Sequence, residues 1–190
     1  MELKEIKKFK TNFVSEEVPD DKNIENLKTW CNQFLKNKLI GSENNPLGLS
    51  FRTEDGFIIT GNKLDGNLGT NCFVSAVNYD VYNNSFYVEG LQEPSLDAIM
   101  HFLIYNTRDD VNAIFCGSSD SILNNAEKLK LPITENEQPS GTMEFANEVL
   151  DVLEDNNFIV IKNCGFVSLG RTIKEAGNLA LNTLKKAQKL

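Results

Sequence analysis

Histidine is nearly missing from this chain: the only one is His101. Chemistry that needs two or more imidazoles is thereby excluded, and proton transfer or metal ligation must draw on carboxylates, thiols and that single ring. The four cysteines, Cys31, Cys72, Cys116 and Cys164, lie far apart and form no Cys-x-x-Cys pair. That pattern fits reduced thiols in a reducing compartment. Basic side chains are in the minority, 19 against 27 acidic, for a formal net charge of -8. Nucleic acid and anionic membranes select basic faces, so neither is expected as a partner. No apolar run approaches the ~20 residues of a membrane helix. The opening MELKEIKKFKTNF is charged and has no apolar signal core. The expectation is a soluble, cytoplasmic protein.

What is present is enough apolar material for a core: 41% hydrophobic residues, with 12 Phe. Over residues 20–40, Ile24, Leu27, Cys31, Phe34 and Leu35 recur at three- and four-residue spacing, the stripe of an amphipathic helix. Gly41 is its natural stop, and Cys31 reads as core. After the turn-rich GSENNPLG, residues 49–61 (LSFRTEDGFIITG) alternate apolar positions around Glu-Asp-Gly and predict a hairpin. Strands follow over 72–80 and 85–90. The pattern then changes to a helix over 94–108, a strand over 111–116 and a helix over 120–130 with Asp120 as a cap. A short strand at 131–134, a helix over 142–155, strands over 157–165 and 166–170, and a helix over 172–190 with a cationic end complete it. No repeat, low-complexity tract or linker interrupts the series, so 1–190 reads as a single α/β domain.

Three stretches, in order, carry a resemblance. The first places Ser50, Arg52, Gly56, Ile59 and Thr60 in a Ser-x-Arg pattern. The second is 93–115, EPSLDAIMHFLIYNTRDDVNAIF, with Pro94, Ser95, His101, Tyr105, Arg108, Asp110 and Ala113 in register. The third is 160–170, VIKNCGFVSLG, ahead of a helix with Glu175 and Ala176. Together they resemble the class II aldolase/adducin superfamily over roughly residues 22–185. That is the fold of fuculose-phosphate and rhamnulose-phosphate aldolases, ribulose-phosphate 4-epimerase and the adducin head.

The resemblance implies a three-layer α/β/α architecture around a mixed, largely antiparallel sheet. It also implies Zn²⁺ held by three histidines, with a glutamate as acid/base. Carried over residue by residue, the His-x-His falls on Cys116 and Ser118. The Asn-His-Gly falls on Asn163, Cys164 and Gly165, and the glutamate on Asp97. Substrate- and anion-binding positions fall on Gly48, Thr60, Gly61 and Ser95. Gly48 lacks the amide of the family's Asn, and Leu96 lacks a hydroxyl. None of the three zinc-binding histidines is kept. In the parent chemistry the ion offsets charge developing on an enediolate. Two thiolates would nearly cancel its charge, a serine is a poor zinc ligand, and Asp97 is a methylene short of Glu.

Each position has a plainer reading beside the functional one. Cys116 and Cys164 are either altered ligands or a redox pair, or else small buried thiols. Asp97 is either an acid/base or a first-turn carboxylate favoured by the helix dipole. His101 lies four residues after Asp97 on the same helix face. It is either a ligand or a packed, hydrogen-bonded ring, and the second is preferred. The loop 116–121 either binds an anion or lets Ser119 and Asp120 cap a helix. The favoured function is a class II aldolase/adducin-like protein with a degenerate metal site, non-catalytic and without cofactor, binding a small-molecule ligand or a partner. The alternative is an aldehyde-lyase acting on a small sugar phosphate through a Cys/Asp site with Zn²⁺. A third reading is a thiol sensor joining Cys116 to Cys164. The resemblance further implies a homo-oligomer, with a tetramer as the family's form.

Overall fold

The computed structural model describes residues 9–39, 48–64 and 68–190. The strands are Lys10–Ser15 (β1), Leu49–Arg52 (β2), Phe57–Thr60 (β3), Phe73–Asp80 (β4), Ser85–Glu89 (β5), Ala113–Gly117 (β6), Phe158–Ile161 (β7) and Gly165–Gly170 (β8). The helices are Ile24–Lys36 (α1), Ala98–Thr107 (α2), Asp120–Asn125 (α3), Met143–Asp151 (α4) and Ile173–Ala187 (α5). The strands form one sheet in the order β1-β5-β4-β3-β2-β6-β8-β7. Every neighbouring pair is antiparallel except β1 with β5, so the sheet is mixed and largely antiparallel.

Side-chain alternation splits the sheet into two faces. Leu49, Phe51, Ala113 and Phe115 join the core cluster that contains α1, α3 and α5. Ile114, Cys116, Val167 and Leu169 join the cluster that contains α2 and α4. The architecture is therefore three-layer α/β/α. Central strand β6 is buried on both faces, which is why its sequence reads as a continuous apolar run rather than an alternation. Cys31 lies in the first cluster as expected, its thiol pushed up to about 12 by burial.

The differences from expectation have local causes. Strand β1 was not anticipated. Its sequence KTNFVS is exposed at four of six positions, so it carries no apolar alternation, and it is held as an edge by backbone pairing to β5. Helix α2 starts at Ala98 because Pro94 bridges Gly61 and Ser95 N–H donates to Thr60 O. The helix expected over 120–130 keeps only Asp120–Asn125 as α-helix, and Lys130 takes a left-handed φ of 54°. Ser119 and not Asp120 occupies its cap position, without a side-chain cap bond. The short strand at 131–134 reduces to a bridge between Ile133 and Val160. Asn163 turns β7 into β8 with φ 54°. The stop expected at Gly41 and most of the GSENNPLG link lie outside the described residues.

One glycine tests the packing logic. Gly177 sits inside α5, where helix propensity alone favours alanine by about 1 kcal/mol. A Cβ there would collide with the indole ring of Trp30, which packs edge-on against Phe115 at 6.0 Å. Overpacking of this kind costs ~1–3 kcal/mol. Gly177→Ala is therefore expected to lower stability. Urea denaturation checks the sign, and a stabilised variant would refute this account of the α1–α5 contact.

Candidate functional site

Helix α2 carries a chemical stripe. Asp97, at its N-cap, His101 and Tyr105 follow at four-residue spacing, so all three face the sheet. The sheet answers with Ser50 from β2 and Cys116 from β6, neighbouring strands paired antiparallel. The contacts run in a line. Tyr105 OH lies 2.7 Å from Ser50 Oγ. Ser50 Oγ lies 2.7 Å from His101 Nδ1. His101 Nε2 lies 3.2 Å from Cys116 Sγ, and the Cys116 thiol hydrogen-bonds the Asp97 carboxylate. Behind Tyr105, Arg52 stacks its guanidinium 4.8 Å from the ring centroid. It also donates to Tyr105 O, Arg108 O and Val111 O at 2.8, 2.9 and 3.0 Å.

The line is dry. His101 is 0% exposed, Asp97 2% and Cys116 5%. Burial holds the imidazole neutral, lowering its pKa to about 3. Burial also raises the Asp97 carboxyl to about 7, partly offset by the Cys116 hydrogen bond. Burial, and then the charge of Asp97, push the Cys116 thiol well above its usual range. A neutral imidazole beside an un-ionised thiol is the opposite of an activated cysteine–histidine pair, which depends on a thiolate. One donor order satisfies the whole line: Tyr105 to Ser50, Ser50 to Nδ1, Nε2–H to Cys116, and the thiol to Asp97.

The other expected positions lie around this line. Gly48 is buried against Asp97, and a Cβ at 48 would collide with Asp97 Oδ2. Its carbonyl accepts from Cys116 N–H at 2.8 Å. Thr60 Oγ1 accepts from Leu49 N–H at 3.2 Å. Ser95 Oγ accepts from Asp97 N–H at 3.4 Å. Gly61 packs closely on the Gln92 side chain. Ser118 follows β6, half-buried, and its N–H donates to Leu39 O at 3.3 Å. Cys164 occupies the β7–β8 turn, half-buried, with Ser140 Oγ 4.0 Å from its sulfur. The β6–β8 register sets Cys116 opposite Val167, three residues beyond Cys164. The structure thus brings Asp97, His101 and Cys116 together, with ligand atoms all within 4.8 Å of one another. Ser118 and Cys164 are not in that group. Sequence reasoning missed the roles of Ser50, Arg52 and Tyr105. The signal was available: Tyr105 lies four residues after His101, and Ser50 and Arg52 head the first resembling stretch.

Fold and site together define an α/β protein with a polar line sealed between its central strands and one helix layer. The sequence profile of the class II aldolase and adducin N-terminal domain family matches residues 31–188, and the chain belongs to that family. An L-fuculose phosphate aldolase from Methanococcus maripaludis is 32% identical over 101 residues, 44% of this chain and 53% of that protein. The chain thus spans about half the length of the curated relative it matches. Among solved structures, an L-fuculose 1-phosphate aldolase superposes with TM-score 0.72 at 20% identity, covering 90% of this chain and 85% of the other. One from Thermus thermophilus gives 0.71 at 15%, covering 87% and 90%. At these identities the superpositions speak for the fold alone.

The three-imidazole zinc seat that the resemblance implies does not fit these residues. Its positions hold two thiols and a hydroxyl, and Cys116 turns into the core toward His101 and Asp97.

The buried carboxyl makes stability depend on pH in a defined direction. Asp97 has its folded pKa near 7, above the ordinary 3.8. Its favourable, protonated burial is complete below about pH 4 and is lost as pH rises through 7. Asp97→Asn removes that loss. The variant is expected to gain on the parent between pH 4 and 8 by on the order of 3–4 kcal/mol. Paired urea titrations check this, and a pH-independent difference would contradict it.

Proposed function

We propose that this chain is a non-catalytic member of the class II aldolase/adducin family, a scaffold that binds a small-molecule ligand or a partner chain rather than splitting an aldol. The observation that carries the reading is the burial of Asp97, 2% exposed and packed against Gly48 and Cys116. A general base must come within about 2.6–3.2 Å of the proton it takes, and this carboxylate has no open face toward a substrate. The imidazoles expected for an open Lewis acid are absent from 116, 118 and 164.

The alternative, an aldehyde-lyase acting on a small sugar phosphate, is favoured by the similarity to an L-fuculose phosphate aldolase. The two separate in one assay. Zinc-supplemented protein is expected to cleave L-fuculose phosphate no faster than buffer with zinc. Cleavage above that level, lost in Asp97→Asn, would establish the lyase instead.

Self-association, a tetramer on the family pattern, belongs to the same proposal. The exposed apolar side chains Phe13, Val14, Val81, Tyr82 and Leu91 support it. Light scattering at micromolar concentration should give a multiple of 21.3 kDa. A monomer mass would remove that part.

A further inference from the structure

We propose that Asp97, His101 and Cys116 form a closed site for one divalent metal ion of borderline softness, Zn²⁺ by donor type, which ties α2 to β6. The site differs from the one expected at Cys116, Ser118 and Cys164. It uses a helix pair four residues apart plus one strand thiol.

Four observations converge on it. First, among the described residues these three donors are the group whose ligand atoms all lie within 4.8 Å of one another. Zinc–ligand lengths of about 2.0 Å to N or O and about 2.3 Å to S place tetrahedral donors roughly 3.3–3.6 Å apart. The nitrogen and sulfur are already 3.2 Å apart, so small side-chain shifts suffice.

Second, the ring is oriented as a ligand ring. Ser50 Oγ, 2.7 Å from Nδ1 and backed by Tyr105 OH, can accept the Nδ1 proton. Nε2 is then left with its lone pair toward the sulfur. An outer partner of this kind fixes the tautomer of a metal-binding histidine.

Third, the backbone holds both anionic donors. Gly48 leaves space for Asp97 Oδ2, and its carbonyl pins Cys116 N–H at 2.8 Å.

Fourth, the charges balance. On binding, the thiol proton leaves and the carboxylate is ionised. One dication, one thiolate, one carboxylate and a neutral imidazole sum to zero. A neutral assembly is what a fully buried position accepts at least cost. It is also a weak electrophile, so the ion would hold structure and not activate a substrate.

The test reads coordination and needs no substrate. Protein refolded with Co²⁺ is expected to take up one ion per chain and to show thiolate-to-cobalt charge-transfer absorption. Cys116→Ser should lose that absorption, and Cys164→Ser should keep it. Ser50→Ala should weaken Zn²⁺ binding about 10–100-fold through the freed ring. X-ray absorption of the parent protein's zinc form, which needs no variant, should show one sulfur at about 2.3 Å beside nitrogen and oxygen at about 2.0–2.2 Å. Metal at background, a shell with no sulfur or two, or absorption that survives Cys116→Ser would overturn the site. None of these readings depends on aldol cleavage, so failure here and failure of the non-catalytic reading are told apart.

Discussion

The structure turns on a buried line of polar side chains, from Arg52 through Tyr105, Ser50, His101 and Cys116 to Asp97. An unpaired buried polar group costs roughly 1–3 kcal/mol, more when charged. Six such groups in a dry layer could not persist unless each met its neighbour. That requirement fixes the rotation of α2 about its axis, because only one face presents positions 97, 101 and 105 together. It fixes also the height of α2 along β2 and β6, since a shift of one residue on either strand would swap Ser50 or Cys116 for an apolar side chain. Arg52 completes the arrangement by receiving the carbonyls where α2 ends, a cation placed at the negative end of a helix.

Much of the fold was legible because its causes are local. The stripe of Ile24, Leu27, Cys31 and Phe34 and the hairpin pattern around Glu54 and Asp55 report burial by their spacing alone. What the sequence hid was of two kinds. Strand β1 is held by backbone hydrogen bonds, which leave no trace in side-chain pattern. The ends of α2 and α3 are set by contacts from elsewhere: Pro94 on Gly61, and the left-handed Lys130.

The site was half legible for a related reason. Asp97 and His101 share a helix face by arithmetic, and Cys116 follows from the resemblance. That the thiol meets the imidazole depends on β2, β6 and α2 stacking in one place, which no spacing in one segment encodes. Ser50 and Tyr105 are 55 residues apart and touch only through that stacking. Placing His101 as a packed, hydrogen-bonded ring anticipated its burial but not its partners. Cys164 was grouped with Cys116 by carry-over, whereas the strand register offsets them.

The exchange of imidazoles for thiols has a physical consequence that reaches beyond ligand identity. Neutral imidazoles leave an ion its full double charge, and such a site must stay open to water or substrate to be tolerated. Here the donors are two acids and one neutral ring, and each acid finds its partner inside the core. Protons and a dication are then interchangeable occupants of one closed space: the thiol proton bound to Asp97 in one state, the ion bound to both in the other. In either state the charge is matched without solvent. Reactivity and closure are thus set by the same substitution, since what neutralises the centre enough to bury it also removes its pull on a developing oxyanion. The class II aldolase framework survives that change because its layers, strand order and helix register depend on filling and pairing the buried line, whichever occupant does so.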